Sequence, residues 1–162
     1  MCDRQSDVRI RLPATPAAAA EVRRVARVVT GHEHVSEHQR DLLVLLASEA
    51  TSNVLRRASV PVLDVTMGCD VRTVAFRVGD HAPPLALPPI DLGPLDQTDG
   101  RGLLMIDQQA LMWGLSPTED GWQLWFVAPT QIGDAADRAR SEPVRRPAQS
   151  AADPLAPQPR VG

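Results

Sequence analysis

The chain contains no lysine and no tyrosine, and its aromatic residues are limited to three tryptophans and two phenylalanines. All 17 basic residues are therefore arginines. The absence of lysine excludes a P-loop, whose lysine reaches the terminal phosphates, and the ordinary protein-kinase fold, which needs a lysine on a strand. It also excludes Schiff-base chemistry. A GC-rich genome would by itself explain few lysines beside abundant alanine, proline and arginine.

Cysteine and long apolar runs are scarce as well. The two cysteines, Cys2 and Cys69, do not have the spacing of a metal site. Two cysteines are also too few to suggest a disulfide framework. No apolar run approaches the ~20 residues of a membrane span, and charged residues near the N-terminus interrupt any signal-peptide pattern. The net charge is −3, so the chain as a whole lacks the excess of basic residues that is typical of a nucleic-acid-binding protein. We expect a protein of the reducing cytoplasm that binds neither membrane nor nucleic acid directly.

The first half of the chain predicts a strand and two helices. Alternating apolar and charged residues predict a strand over 8–12, and Thr15 with Pro16 predicts the start of a helix that stops at Gly31. Ser36 and Gln39 have the spacing of a capping box. They predict the start of a second helix, which ends near residue 58.

The second half begins with a change of period from 3.6 to 2 after Pro61. Strands are predicted over 63–67 and 74–78, a helix from the glycines at 100 and 102, and a final hairpin over 112–127. The aperiodic stretch 79–102 contains five prolines and is either a functional loop or a poorly ordered insertion. This order predicts an α+β two-layer sandwich, with a mostly antiparallel mixed sheet and the helices on one face.

Large apolar residues become rare near residue 129. We therefore divide the chain into an N-terminal extension (1–7), one globular domain (8–128) and an Ala-, Pro- and Arg-rich tail (129–162). The tail cannot bury enough apolar surface to offset its ordering entropy, so we expect it to be disordered.

The second helix carries two polar residues on or beside its apolar stripe. Asn53 projects within the stripe and Glu49 lies at its margin, one helical turn away. Buried polar groups cost free energy unless something satisfies them. An oxygen ligand for a hard cation beside a carboxylate base suits a magnesium–phosphate site. A pair of solvated surface residues with this spacing by chance is the alternative.

Two further motifs follow in sequence order. Asp80 ends a predicted buried strand, and Gly100-Arg101-Gly102 opens the third helix. Taken separately, Asp80 could be a turn residue and the two glycines could serve a tight turn. The ordered set is harder to explain by chance.

This ordered set resembles the GHKL, or Bergerat-fold, ATP-binding domain of gyrase, heat-shock chaperones and sensor histidine kinases. The segments 46–54, 78–83 and 100–107, with Trp113-Gly114 and Trp125-Phe126, resemble more specifically the anti-sigma regulatory factors of actinomycetes, which are serine/threonine kinases. The resemblance covers residues 8–128. It implies the histidine kinase-like ATPase fold, with ATP and Mg²⁺ as cofactors.

The resemblance also implies a role for each residue. Asn53 would ligate the Mg²⁺ that bridges the ATP phosphates, and Glu49 would be the catalytic base for an acceptor serine. Asp80 would accept a hydrogen bond from the adenine amine. Gly100 and Gly102 would let the backbone approach the phosphates, and Arg101 would be either a phosphate clamp or a solvated side chain. The stretch 83–99 would correspond to the ATP lid.

The chain departs from the family pattern at two informative positions. Arg57 stands where the family commonly has histidine, and Gln123 stands where a threonine usually supports the adenine. Two functions follow. One is a kinase that phosphorylates a serine of an anti-sigma antagonist protein during partner switching with a sigma factor. The other is a regulator that binds nucleotide, or only a protein partner, without catalysis. Related kinases often form homodimers, and the sequence shows no phospho-acceptor helix hairpin of a sensor kinase.

Overall fold

A computed structural model describes residues 7–58, 61–80, 101–118 and 121–131, and every structural statement below concerns these ranges. They form five strands and three helices, in the order β1 (Val8–Pro13), α1 (Ala17–Val29), α2 (Glu37–Leu55), β2 (Val62–Cys69), β3 (Thr73–Asp80), α3 (Arg101–Gln109), β4 (Met112–Pro117) and β5 (Trp122–Pro129). The predicted loop and tail, and with them Gly100, lie largely outside the described residues.

The five strands form a single sheet in the order β1-β2-β3-β5-β4. All four pairings between neighbouring strands are antiparallel. Strand β5 lies between β3 and β4, so the last hairpin joins the sheet through its second strand. The predicted α+β sandwich is confirmed.

One face of the sheet forms the core with the helices. Alternate residues of β3 and β5 point into it, and the rings of Phe76 and Phe126 stack there with centroids 5.2 Å apart. Helix α2 contributes a fully buried row to the same core, with Leu43, Leu46, Ala47, Ala50 and Val54. The helices therefore cover one face of the sheet and create the second layer.

Helix α2 begins as the sequence predicts, with one difference. The Ser36 hydroxyl accepts a hydrogen bond from the Gln39 backbone N–H at 3.2 Å, which is the expected cap. The reciprocal half of a capping box does not form. The Gln39 side chain instead donates from Nε2 to the Pro129 carbonyl at 2.6 Å, and so attaches the start of α2 to the end of β5.

Helix α1 begins differently from the prediction. Pro16 rather than Thr15 occupies the N-cap position, and no side chain caps the helix. Pro16 already has helical backbone angles, because its ring fixes φ near the helical value. The Thr15 carbonyl accepts a hydrogen bond from the Ala18 N–H at 2.9 Å, so the first turn closes through the backbone. Across the described ranges, no helix is long and apolar enough to cross a membrane.

Candidate functional site

Glu49 and Asn53 lie one turn apart on α2, as the sequence predicts. Asn53 is only 2% exposed and stands between the buried residues Ala50 and Val54. Glu49 is half-buried at the margin of the stripe. The alternative of two solvated surface residues is therefore wrong for Asn53.

Neither side chain makes a polar contact with the described part of the protein. Within the described part of the chain, the Asn53 carboxamide makes no hydrogen bond, and the Glu49 carboxylate makes neither a hydrogen bond nor an ion pair. The amide atoms of Asn53 are not among the fully buried unpartnered atoms of the described residues, so solvent or a ligand can reach them. A carboxamide oxygen with spare acceptor capacity fits a hard cation such as Mg²⁺.

Gly102, in the first turn of α3, contacts Glu49 directly. A Cβ atom built on Gly102 would lie 2.5 Å from Glu49 Oε2 and 3.2 Å from Glu49 Cβ. Any larger residue would push α3 away from α2 or displace the carboxylate. The sequence predicts that this glycine lets the backbone approach a ligand. The structure shows that it also lets the backbone approach Glu49.

The start of α2 and the start of β3 lie at the same end of the sheet. Gln39 bonds to Pro129, whose partner in the register is Thr73. Along α2 the distance from Gln39 to Asn53 is ~21 Å, and along β3 the distance from Thr73 to Asp80 is ~24 Å. At the other end, β2 begins at Val62, soon after α2 ends, and its Leu63 pairs with Asp80. The half of α2 that carries Glu49 and Asn53 therefore runs toward the Asp80 end of the sheet.

Asp80 is the last residue of β3 and is 3% exposed. Its neighbours in the register are Leu63 on β2 and Trp122 on β5, both of them core residues. Asp80 takes part in a further interaction and is not free. A buried carboxylate in apolar surroundings suits a specific hydrogen-bonding role better than that of a solvated turn residue.

Arg101 and Gly100 complete the predicted set in different ways. Arg101 is the first residue of α3, and its side chain is exposed. It lies on the same helical turn as Gly102 and hence close to the Glu49 side of α2. Gly100 lies outside the described residues. The structure thus brings Glu49 and Gly102 into contact, while Asn53 lies one turn further along α2 and Arg101 precedes Gly102 in α3.

Gln123, which stands where the family usually has a threonine, does not share a face of the sheet with Asp80. Gln123 pairs with Gly79, so its side chain lies on the opposite face of the sheet from that of Asp80. There its Nε2 donates to the Ser116 hydroxyl at 3.2 Å. Trp122 is the residue that lies beside Asp80 on the same face. Sequence could not reveal this, because β3 and β5 are not consecutive and their register depends on the fold.

Arg23 and Ser48 form a contact beside the site that sequence analysis missed. Arg23 Nη1 donates to the Ser48 hydroxyl at 2.8 Å and thereby links α1 to α2 one residue before Glu49. Helical periodicity places both residues near the interface between the helices, but it does not predict the bond. Arg57 lies just after α2, where its backbone N–H donates to the Val54 carbonyl at 3.0 Å. Arg57 also takes part in a further interaction.

A metal ion at this site would depend on the nucleotide for most of its ligands. In the described ranges, no three His, Cys, Asp or Glu side chains are grouped so that they could hold a metal. Asn53 would then supply one neutral oxygen ligand, and phosphates and water would supply the others. This donor set fits Mg²⁺, which keeps several waters and phosphate ligands in nucleotide sites.

Comparison with known families agrees with this architecture. The histidine kinase-like ATPase domain family matches residues 12–127, from the end of β1 almost to the end of β5. A search among curated proteins found no match to the chain. Because the family match spans most of the sequence and the five-stranded sheet with its helical layer agrees with it, the chain belongs to the histidine kinase-like ATPase domain family.

Proposed function

We propose that this protein is an ATP-dependent serine kinase of the anti-sigma regulatory type, which phosphorylates a serine of an antagonist protein. The observation that carries the proposal is the pair Glu49 and Asn53. Both lie on the α3 side of α2, and described protein groups engage neither side chain. Membership of the family supports ATP binding. Phosphoryl transfer further requires a metal ligand and a general base, which Asn53 and Glu49 would supply.

Asn53 and Asp80 would hold the nucleotide. The Asn53 carboxamide oxygen would ligate the Mg²⁺ between the phosphates, and the buried Asp80 carboxylate would accept a hydrogen bond from the adenine amine. The backbone N–H groups at the start of α3, around Arg101 and Gly102, would stabilise the phosphate charge. Gly100 would belong to the same turn. When bound, ATP supplies the transferable phosphoryl group.

Glu49 would act as the general base. The Glu49 carboxylate would take the hydroxyl proton of the acceptor serine as the serine oxygen bonds to the transferred phosphoryl group, whose bond to ADP would break with its electrons left on ADP. Glu49 Oε2 lies beside Gly102 at the start of α3, where phosphates would lie, and this closeness supports the assignment. Positioning of a base at the acceptor oxygen is the larger part of the protein's task in phosphoryl transfer.

A second function rests on the same contact between Glu49 and Gly102. Because α3 packs directly on the carboxylate, one side of Glu49 is closed to an incoming hydroxyl. A regulator that binds nucleotide and a protein partner without catalysis would tolerate this. In both cases the protein would act in the cytoplasm on protein partners, and a homodimer is part of the proposal.

Calorimetric titration with Mg–ATP, together with transfer of labelled phosphate to candidate antagonist proteins, separates the two functions. We expect Asn53→Ala to abolish binding and Glu49→Gln to retain binding but lose transfer by at least ~10²-fold. Glu33→Gln, at an exposed position between α1 and α2, is the matched control. Binding without transfer by the unchanged protein would support the second function. Absence of Mg–ATP binding would overturn both.

A further inference from the structure

Helix α3 has nine residues, fewer than the ~12–15 that an isolated helix needs to be stable in water. Its position therefore depends on the elements that it packs against. Its apolar side is buried in the core, and two further contacts act at its opposite ends. In the first turn, Gly102 lies against Glu49. In the last turn, Asp107 accepts a hydrogen bond from the indole of Trp113.

Asp107 is unfavourable for the helix in which it stands. Aspartate has a low helix propensity, and a negative charge in the last turn opposes the helix dipole. The contact with Trp113 offsets this local cost, because the indole Nε1 donates to Asp107 Oδ1 at 2.9 Å and hydrogen bonds to a charged acceptor are stronger than those between neutral groups. Asp107 is half-buried, so solvent weakens this bond only in part. The carboxylate therefore serves a contact beyond its own helix.

Trp113 gives this contact a fixed anchor on the sheet. It lies in β4, pairs with Phe126 of β5 and belongs to the hydrophobic core. The chain between α3 and β4 is short, and the Leu111 backbone N–H donates to the Val127 carbonyl at 2.8 Å. The last turn of α3 is thus attached to the sheet through the backbone and through the side chain of Asp107.

We propose that Asp107 is a positioning residue, which holds α3 on β4 so that the first turn of α3 stays against Glu49. Gly102 and Asp107 lie ~7.5 Å apart along the helix axis and about 140° apart around it. Asp107 therefore acts on the site through the helix and not by direct contact. The consequence for phosphoryl transfer rests on the proposed function, whereas the attachment of α3 does not.

A hydrogen bond with a merely structural role would lower the stability of the domain and leave the two ends of α3 independent. A bond that positions α3 has a further effect at the other end of the helix. Without it, α3 can move away from α2, and a side chain added at Gly102 meets the Glu49 carboxylate less closely. The stability of the domain therefore reports the attachment without any assay of transfer.

Urea denaturation of a double-mutant cycle measures this coupling. In the Asp107→Ala background, the loss of stability caused by Gly102→Ala should fall to half or less. In the Asp107→Asn background it should be unchanged, because the amide oxygen can still accept from the indole. Gln108→Ala, at an exposed position of the same helical turn, is the matched control and should also leave it unchanged. The indole N–H resonance of Trp113 should shift in Asp107→Ala, which shows that the bond has been lost.

Transfer of labelled phosphate tests the effect on Glu49. Asp107→Ala should lower transfer at least tenfold and Mg–ATP affinity by a smaller factor, because the proposed metal ligand and adenine acceptor lie on other elements. Trp113→Phe removes the donor and should have the same effect, and Asp107→Asn should restore most of the transfer. Ser36→Ala controls for lost stability, because it removes the cap at the end of α2 that is far from Glu49. It should leave transfer unchanged.

Two results would overturn the proposal. Additive losses of stability for Asp107→Ala and Gly102→Ala would show that the two ends of α3 are independent. An equal loss of transfer in Ser36→Ala would show that lowered stability, and not the position of α3, reduces transfer. If the unchanged protein transfers no phosphate, the proposed kinase function fails, and the stability cycle alone decides the role of Asp107. If Asp107→Ala does not fold, Trp113→Phe takes its place in both experiments.

Discussion

The Glu49 carboxylate lies so close to Gly102 that a Cβ atom at position 102 would be 2.5 Å from Glu49 Oε2. The packing of α3 on α2 therefore depends on a missing side chain, and the same contact positions the proposed base. Position 102 is thus a structural requirement, and under the proposed function it also affects the base. Substitutions there should change the stability of the domain and the orientation of Glu49.

Gly102→Ala should destabilise the protein despite the higher helix propensity of alanine. Overpacking typically costs about 1–3 kcal/mol, whereas replacing glycine within a helix contributes up to ~1 kcal/mol in the opposite direction. Urea denaturation measures the net change in the free energy of unfolding. Phosphoryl transfer should fall more than nucleotide binding, because the carboxylate moves while Asn53 stays in place.

A double-mutant cycle with Glu49→Ala identifies the cause. Removing the Glu49 carboxylate removes the closest contact, so Gly102→Ala should cost less in the Glu49→Ala background than in the unchanged protein. A coupling of at least ~0.5 kcal/mol is expected for residues in contact. Strictly additive effects would show that the alanine at 102 disturbs something other than Glu49.

Asp80→Asn should weaken Mg–ATP binding about 10- to 100-fold, because hydrogen bonds to a charged group contribute about 1.5–3 kcal/mol. The amide is nearly isosteric, so the fold should be retained. Calorimetry measures the affinity and circular dichroism checks the fold. Asp41→Asn is the control, because its carboxylate lies on the exposed surface of α2 in an ion pair with Arg27. Equal affinities for Asp80→Asn and the unchanged protein would place the adenine elsewhere.

Local patterns predict much of this fold. The 3.6-residue period of α2, with Asn53 inside the stripe and Glu49 at its margin, follows from side-chain spacing along one helix. The hairpin of β2 and β3 follows from the period of 2 on each side of residues 68–70. The Ser36 cap follows from short-range hydrogen bonding. In each case the residues that interact are close in sequence, so composition and spacing determine the outcome.

Contacts between distant segments are what the sequence does not predict. Insertion of β5 between β3 and β4 fixes which face Gln123 occupies, and no local pattern encodes that register. The contact between Gly102 and Glu49 depends on how α3 crosses α2. Sequence thus predicts which residues could form the site better than it predicts their neighbours.

Ser36→Ala should reduce the free energy of unfolding by about 1 kcal/mol. The Ser36 hydroxyl accepts from the Gln39 N–H, which α2 itself cannot satisfy. Ser36→Asp should restore most of the loss, because a carboxylate caps equally well and favours the positive end of the helix dipole. Urea denaturation distinguishes these variants. Equal losses for the alanine and aspartate variants would mean that the hydroxyl does not act as a cap.

The turn between β2 and β3 should make stability depend on pH through Asp70. Burial opposes ionisation of this carboxyl group, but hydrogen bonds from the Arg72 and Thr73 backbone N–H groups, both 2.7 Å, outweigh it and lower the pKa. A lowered pKa in the folded state means that the carboxylate stabilises the fold above its unfolded pKa of about 3.9. That contribution is lost as the pH falls through the folded value.

Asp70→Asn isolates the charge, because the asparagine oxygen still accepts both backbone N–H groups but does not titrate. Its free energy of unfolding should therefore fall less than that of the unchanged protein between about pH 5 and pH 2. The difference should be below about 1 kcal/mol, since solvent screens this partly exposed group. Asp70→Ala loses the hydrogen bonds themselves and should be less stable at every pH. Parallel pH profiles for the unchanged protein and Asp70→Asn would show that other carboxylates control acid unfolding.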